Sequence, residues 1–133
     1  MSRIKKIIIH AADTPANMDI GAEEIRRWHV GDNGWRDIGY HYVIRRDGTL
    51  ETGRDELTPG AHAAGHNIGS IGVCLVGGKP DCNFTSAQWA CLDALVKDLI
   101  RRYPDSEVIG HRDVSSKPCP MFDVKAWAQT LER

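Results

Sequence analysis

The sequence predicts an α/β (α+β) fold, one domain with a central mixed β-sheet flanked by helices. Its length of 133 residues suits a single domain, expected to span residues 1–133 with no linker, repeat or low-complexity tract. β-branched runs alternate with segments of helical period, and an Asp-Gly signal adds an antiparallel hairpin to strands otherwise separated by helices.

Residues 4–9, with Ile7, Ile8 and Ile9 in succession, suit a buried strand. Residues 22–29 read as a short helix with Glu23 and Glu24 in the first turn, where negative charge favours the helix dipole. Residues 40–44 alternate and residues 49–51 return after Asp47-Gly48, with both turn residues expected at positive φ. Along the first of these strands Tyr40 and Tyr42 are expected on one face and His41, as a structural residue, on the other. Residues 71–76 form a further strand between Gly69 and Gly77-Gly78, with Cys74 buried in it. Thr85-Ser86-Ala87-Gln88 reads as a capping box. Behind it Trp89, Leu92, Leu95, Val96, Leu99, Ile100 and Tyr103 recur at helical spacing until Pro104 ends the run. Residues 107–110 form a short strand, and Asp123 caps a last helix carrying Val124, Trp127 and Leu131. Trp28, Trp89 and Trp127 are assigned to helix core faces.

Composition excludes several function classes. With 17 Lys and Arg against 18 Asp and Glu, the net charge of −1 lacks the basic balance of a dedicated nucleic-acid binder. No run approaches the roughly 18 apolar residues of a membrane span. Met1-Ser2-Arg3-Ile4-Lys5-Lys6 carries no signal-peptide pattern, so synthesis in the cytoplasm without an export signal is expected. Four irregularly spaced cysteines do not form a disulfide framework, and no chemistry is assigned to Cys82 or Cys91.

The histidines carry more information. His10 follows the triple Ile and His111 follows Val108-Ile109-Gly110, so both stand at the ends of strands, where open α/β sheets place their sites. Cys119 follows in Lys117-Pro118-Cys119-Pro120, a segment whose prolines are expected to keep it stiff and extended. Two imidazoles and one thiolate suit a catalytic zinc ion with a fourth position open to water. A hydrogen-bonded structural His and a buried Cys produce the same pattern, so spacing alone does not decide.

Several segments, in this order, resemble the zinc-dependent N-acetylmuramoyl-L-alanine amidases. They are Ile9-His10, Gly39 to Ile44, Arg46-Asp47-Gly48-Thr49, His62-Ala63 with Asn67, Ser70 to Val73, Gly110-His111-Arg112-Asp113 and Lys117-Pro118-Cys119-Pro120. The likeness is greatest to the amidase endolysins of T-odd phages, and the peptidoglycan recognition proteins share that fold. The resemblance implies zinc held by His10, His111 and Cys119, with Tyr40 and Lys117 as catalytic side chains. It implies hydrolysis of the amide between the lactyl group of N-acetylmuramic acid and L-alanine of the peptidoglycan stem. Tyr40 is expected to position or deprotonate the attacking water and Lys117 to stabilise the oxyanion. His62 and Asn67 match a loop at the rim of the site, and Trp35 is the tryptophan expected to contact substrate. His29 and His66 are assigned to the surface.

Three rival readings stand beside the lytic enzyme: a peptidoglycan-binding module without cleavage, a wall-recycling or toxin amidase, and a hydrolase using Cys119 as nucleophile. The resemblance also implies a holin-type permeabilising partner for access to the wall. Phage relatives can inhibit RNA polymerase through an N-terminal tail; with nine residues before His10, that activity is not expected here.

Overall fold

The computed structural model describes residues 4–131, so Met1 to Arg3, on which the export-signal and tail readings partly rest, lie outside the described residues. The chain runs through β1 (Lys6–Ala11), β2 (Thr14–Pro15), α1 (Ala22–Arg27) and a π-helical turn (Trp28–Asp32). It continues through β3 (Tyr42–Ile44), β4 (Leu50–Thr52), β5 (Ser70–Leu75), β6 (Gly78–Lys79) and α2 (Ser86–Arg102). It closes with β7 (Glu107–Gly110), a 3-10 turn (His111–Asp113) and α3 (Val124–Ala128). Five strands form a mixed sheet in the order β4-β3-β5-β1-β7, and β2 and β6 pair separately.

β1 lies between β5 and β7 and is parallel to both. A parallel strand covered on both faces favours an unbroken apolar run over alternation, and Ile7, Ile8 and Ile9 are all fully buried. Ile7 and Ile9 pack with Ile71, Val73 and Leu75 beneath Leu92, Val96 and Leu99 of α2. Ile8 faces the other way, toward Ala63 and Ile109. The strand therefore carries alternate residues toward α2 and toward the opposite face, and His10 shares the face of Ile8.

Helix α2 begins with the expected capping box: Thr85 Oγ1 accepts from Gln88 N at 3.1 Å and Gln88 Oε1 accepts from Thr85 N at 2.9 Å. Gln88 is also buried and donates through Nε2 to the carbonyls of Ile44 and Val76, tying the helix start to two strand ends. Asp123 caps α3 as expected.

Three local expectations are corrected. In the hairpin only Gly48 of the Asp-Gly pair has positive φ, +88°. Gly48 N donates to Arg45 O and Arg45 N to Thr49 O, so the loop is a type I turn closed by a left-handed glycine, while Asp47 Oδ1 accepts from Thr49 N. Tyr40 and Tyr42 do not share a face: Tyr42 packs on the α2 side, and Tyr40 joins Val43, Cys74 and Val76 on the other. Regular alternation starts only at Tyr42, because Gly53 N and Arg54 N donate to the carbonyls of His41 and Tyr40 outside the β3–β4 ladder. Trp28 is exposed although its backbone continues the helical geometry of α1, its N–H bonding to the carbonyls of Glu24 and Ile25.

The long connection before β5 is fastened to α2 by Glu56. Its carboxylate accepts from Arg102 Nη1 at 2.7 Å and Nη2 at 2.8 Å, and from the hydroxyls of Tyr42 and Tyr103. These donors, Arg102 first, hold the Glu56 carboxyl at about 2, below the ordinary carboxylate range. A depressed carboxyl contributes stability above its unfolded value of about 4.3 and loses it as the pH falls toward 2. Glu56→Gln is expected to cost about 2 kcal/mol at pH 7 in urea unfolding, with the gap to wild type closing between pH 4.3 and 2; a gap independent of pH contradicts this role.

Candidate metal centre

The site follows from strand register. Ile9 pairs with Gly110, so the next residues, His10 and His111, emerge side by side with ring centroids 4.5 Å apart. His10 is still within β1 and is 1% exposed, whereas His111 opens the 3-10 turn. Asp113 Oδ2 accepts from Gly110 N at 2.8 Å and fixes that turn. A Cβ on Gly110 would come within 2.9 Å of Val124, so glycine is what allows α3 to close behind His111.

Cys119 arrives from the following loop. Arg112 N donates to Cys119 O at 2.6 Å, and Ala11 N donates to Cys119 Sγ at 3.1 Å. The 117–120 segment is not extended as expected: Met121 N donates to Pro118 O across a turn containing a cis Cys119–Pro120 peptide, the geometry that places proline third in a turn. The result brings one ligand atom each from His10, His111 and Cys119 within 4.8 Å of one another.

These groups form the floor of a cleft of about 450 Å³ whose walls include Asp13, His29, Trp35, Tyr40 and Lys117. The Tyr40 ring lies 5.1 Å from that of His10. Lys117 is exposed on the cleft wall, close enough for its charge to depress the basicity of His111. Burial, reinforced by His62 and His111, pushes His10 well below the ordinary histidine value. Burial likewise lowers His111, raises the Cys119 thiol and, with Cys74 and Cys119 nearby, raises the Tyr40 phenol.

His62 also lines the cleft, its Nδ1 2.8 Å from His10 Nε2. Asn67 Oδ1 accepts from His62 N and Ala63 N at 2.9 Å each, so its acceptor shapes the loop that carries His62. Trp35 lies at the mouth, 4.6 Å from the ring of His29. His41 is structural as expected, accepting from Gly72 N and donating to Thr58 O. All four cysteines are free, with Cys74 buried.

Sequence reasoning missed two residues here. His29, assigned to the surface, lines the cleft and accepts from Gly39 N through Nδ1 at 2.9 Å, an arrangement set by the fold of the 28–39 segment with no local signal. Asp13 has φ +61° and lines the same cleft. His66 accepts from Lys6 Nζ at 3.2 Å and is partly buried.

The family model for N-acetylmuramoyl-L-alanine amidase matches residues 1–122. The chain belongs to that family. The amidase is 49% identical over 131 residues to the endolysin of Enterobacteria phage T3, covering 95% of this chain and 86% of that protein. Among solved structures it is similar to the N-acetylmuramoyl-L-alanine amidase LysC from Clostridium intestinale URNW, with TM-score 0.83, 30% identity, and 98% of this chain and 88% of that one covered. The bumblebee peptidoglycan recognition protein SA shares the fold at TM-score 0.84 and 27% identity, over 98% of this chain and 83% of that one.

Burial lowers His10, His62 and His111 below the unfolded value of about 6.5, with His62 at about 3. The stability this provides is complete above that value and is lost as the pH falls toward the folded values. Chelator-treated amidase is therefore expected to lose several degrees of Tm between pH 7.5 and pH 5; an unchanged or rising Tm contradicts the burial of neutral imidazoles.

Proposed function

We propose that this amidase is an endolysin-type peptidoglycan hydrolase that holds one zinc ion through His10, His111 and Cys119. It cuts the amide joining the lactyl group of N-acetylmuramic acid to L-alanine. The observation that carries the reading is the convergence of two imidazoles and a thiol on the floor of the cleft, within a chain matched by the amidase family over residues 1–122. The donors fit the metal: borderline zinc accepts both nitrogen and sulfur, its ligand histidines must be neutral, and burial keeps His10 and His111 so. Three protein ligands are the number found in catalytic zinc sites. When bound, zinc supplies a Lewis acid and makes hydroxide accessible near neutral pH.

The remaining work falls to the chain. Lys117 brings a positive charge to the cleft wall and stabilises negative charge developing on the scissile carbonyl oxygen. Tyr40, its phenol held protonated by burial, acts as a hydrogen-bond donor that orients the reacting groups, in preference to the base role considered from sequence. Trp35 offers its face to sugar or peptide at the mouth. A Cys119 nucleophile would need only one neighbouring imidazole, whereas His10 and His111 both converge on the thiol, a second imidazole that the metal reading uses and the nucleophile reading leaves without a purpose. The endolysin relatives support a lytic role over wall recycling. In that role the enzyme is made in the host cytoplasm and reaches the wall with a holin-type permeabilising partner.

Purified cell walls treated with the enzyme are expected to release fragments bearing a free L-alanine amine, and chelator is expected to stop the release. Cys119→Ala and His111→Ala should lose metal and activity together. Lys117→Ala and Tyr40→Phe should each lower kcat about 100-fold or more with zinc content unchanged. Release that persists in chelator removes the metal mechanism.

A further inference from the structure

His10 Nε2 and His62 Nδ1 are 2.8 Å apart, His62 Nε2 and Ser70 Oγ are 3.2 Å apart, and Ser70 Oγ reaches Asn67 O at 3.1 Å. All three side chains are buried, with exposures of 1%, 8% and 2% along the chain from His10 to Ser70. The direction of this chain is fixed from its far end. A backbone carbonyl only accepts, so the single Ser70 proton goes to Asn67 O, and Ser70 Oγ must accept from His62 Nε2–H. A neutral His62 protonated on Nε2 offers a lone pair at Nδ1, which accepts from His10 Nε2–H. His10 then carries its proton on Nε2 and keeps the Nδ1 lone pair free.

We propose that His62 is a positioning residue, locked by Ser70 and the Asn67 carbonyl, that fixes His10 in the tautomer whose Nδ1 ligates the divalent cation. This rests on the metal reading above and assigns to His62 a role distinct from substrate contact at the rim. The surroundings are built to keep the ring in place. Gly72 lies directly beneath it, where a Cβ would sit 2.6 Å from His62 Cγ, and Asn67 Oδ1 holds the backbone of His62 and Ala63. A partner on the distal nitrogen of a ligand histidine fixes the ring and raises its basicity, and losing one typically costs 10- to 100-fold in metal affinity.

Two readouts test this without measuring activity. Long-range 1H–15N spectra of the metal-free wild-type protein are expected to show both His10 and His62 protonated on Nε2; His10 protonated on Nδ1 overturns the proposal. By competition with a chromogenic chelator, His62→Leu and Ser70→Ala are expected to weaken zinc binding about 10- to 100-fold. His62→Asn, which keeps an acceptor at the δ position, should recover most of that loss. Equal affinity of His62→Leu and wild type overturns the positioning role. A wild type that binds no zinc sinks the metal reading instead, and the tautomers still decide the hydrogen-bond chain.

Discussion

The parallel pairing of β1 with β7 is the constraint on which the site depends. Because Ile9 and Gly110 are register partners, two histidines a hundred residues apart in sequence leave adjacent strands at the same level. That register is in turn held by burial: Ile7 and Ile9 lock onto the α2 side and Ile8 onto the other, so a one-residue slip would exchange the faces and swing His10 away from His111. The apolar core thus sets the spacing of the polar cluster.

Placing such a cluster in the interior has a cost, since buried polar groups need partners. The chain meets it in layers. His10 is backed by His62, His62 by Ser70, and Ser70 by a backbone carbonyl, while Cys119 Sγ is met by Ala11 N. Burial keeps the imidazoles neutral, the state in which their lone pairs are available, while the charge of Lys117 stays toward solvent on the cleft wall. Small residues at Gly72 and Gly110 provide the room, one beneath the His62 ring and the other against α3.

Much of this was legible in the sequence where the signal is local or where burial enforces a pattern. The Ile run gave β1 to within two residues at each end, the capping box gave the start of α2, and the strand before Gly110-His111 has the expected bounds. The approach of His10 and His111 followed from their shared position at strand ends. What escaped depends on contacts made across the fold. Tyr42 leaves the face of Tyr40 because Gly53 and Arg54 pair with residues 40–41 outside the regular ladder, and His29 lines the cleft because the chain after α1 unwinds into a π-helical turn. Gln88 looked like a capping residue only; its second role, bonding two strand carbonyls, exists only once β3 and β5 are in place.

The central claim is that His10, His111 and Cys119 share one divalent ion, and zinc-edge X-ray absorption on the purified protein tests it most directly. The account predicts one zinc per chain with a single sulfur at about 2.3 Å and nitrogen neighbours at about 2.0–2.1 Å, the sulfur shell vanishing in Cys119→Ala. A zinc shell of nitrogen and oxygen alone, unchanged by that substitution, would contradict it.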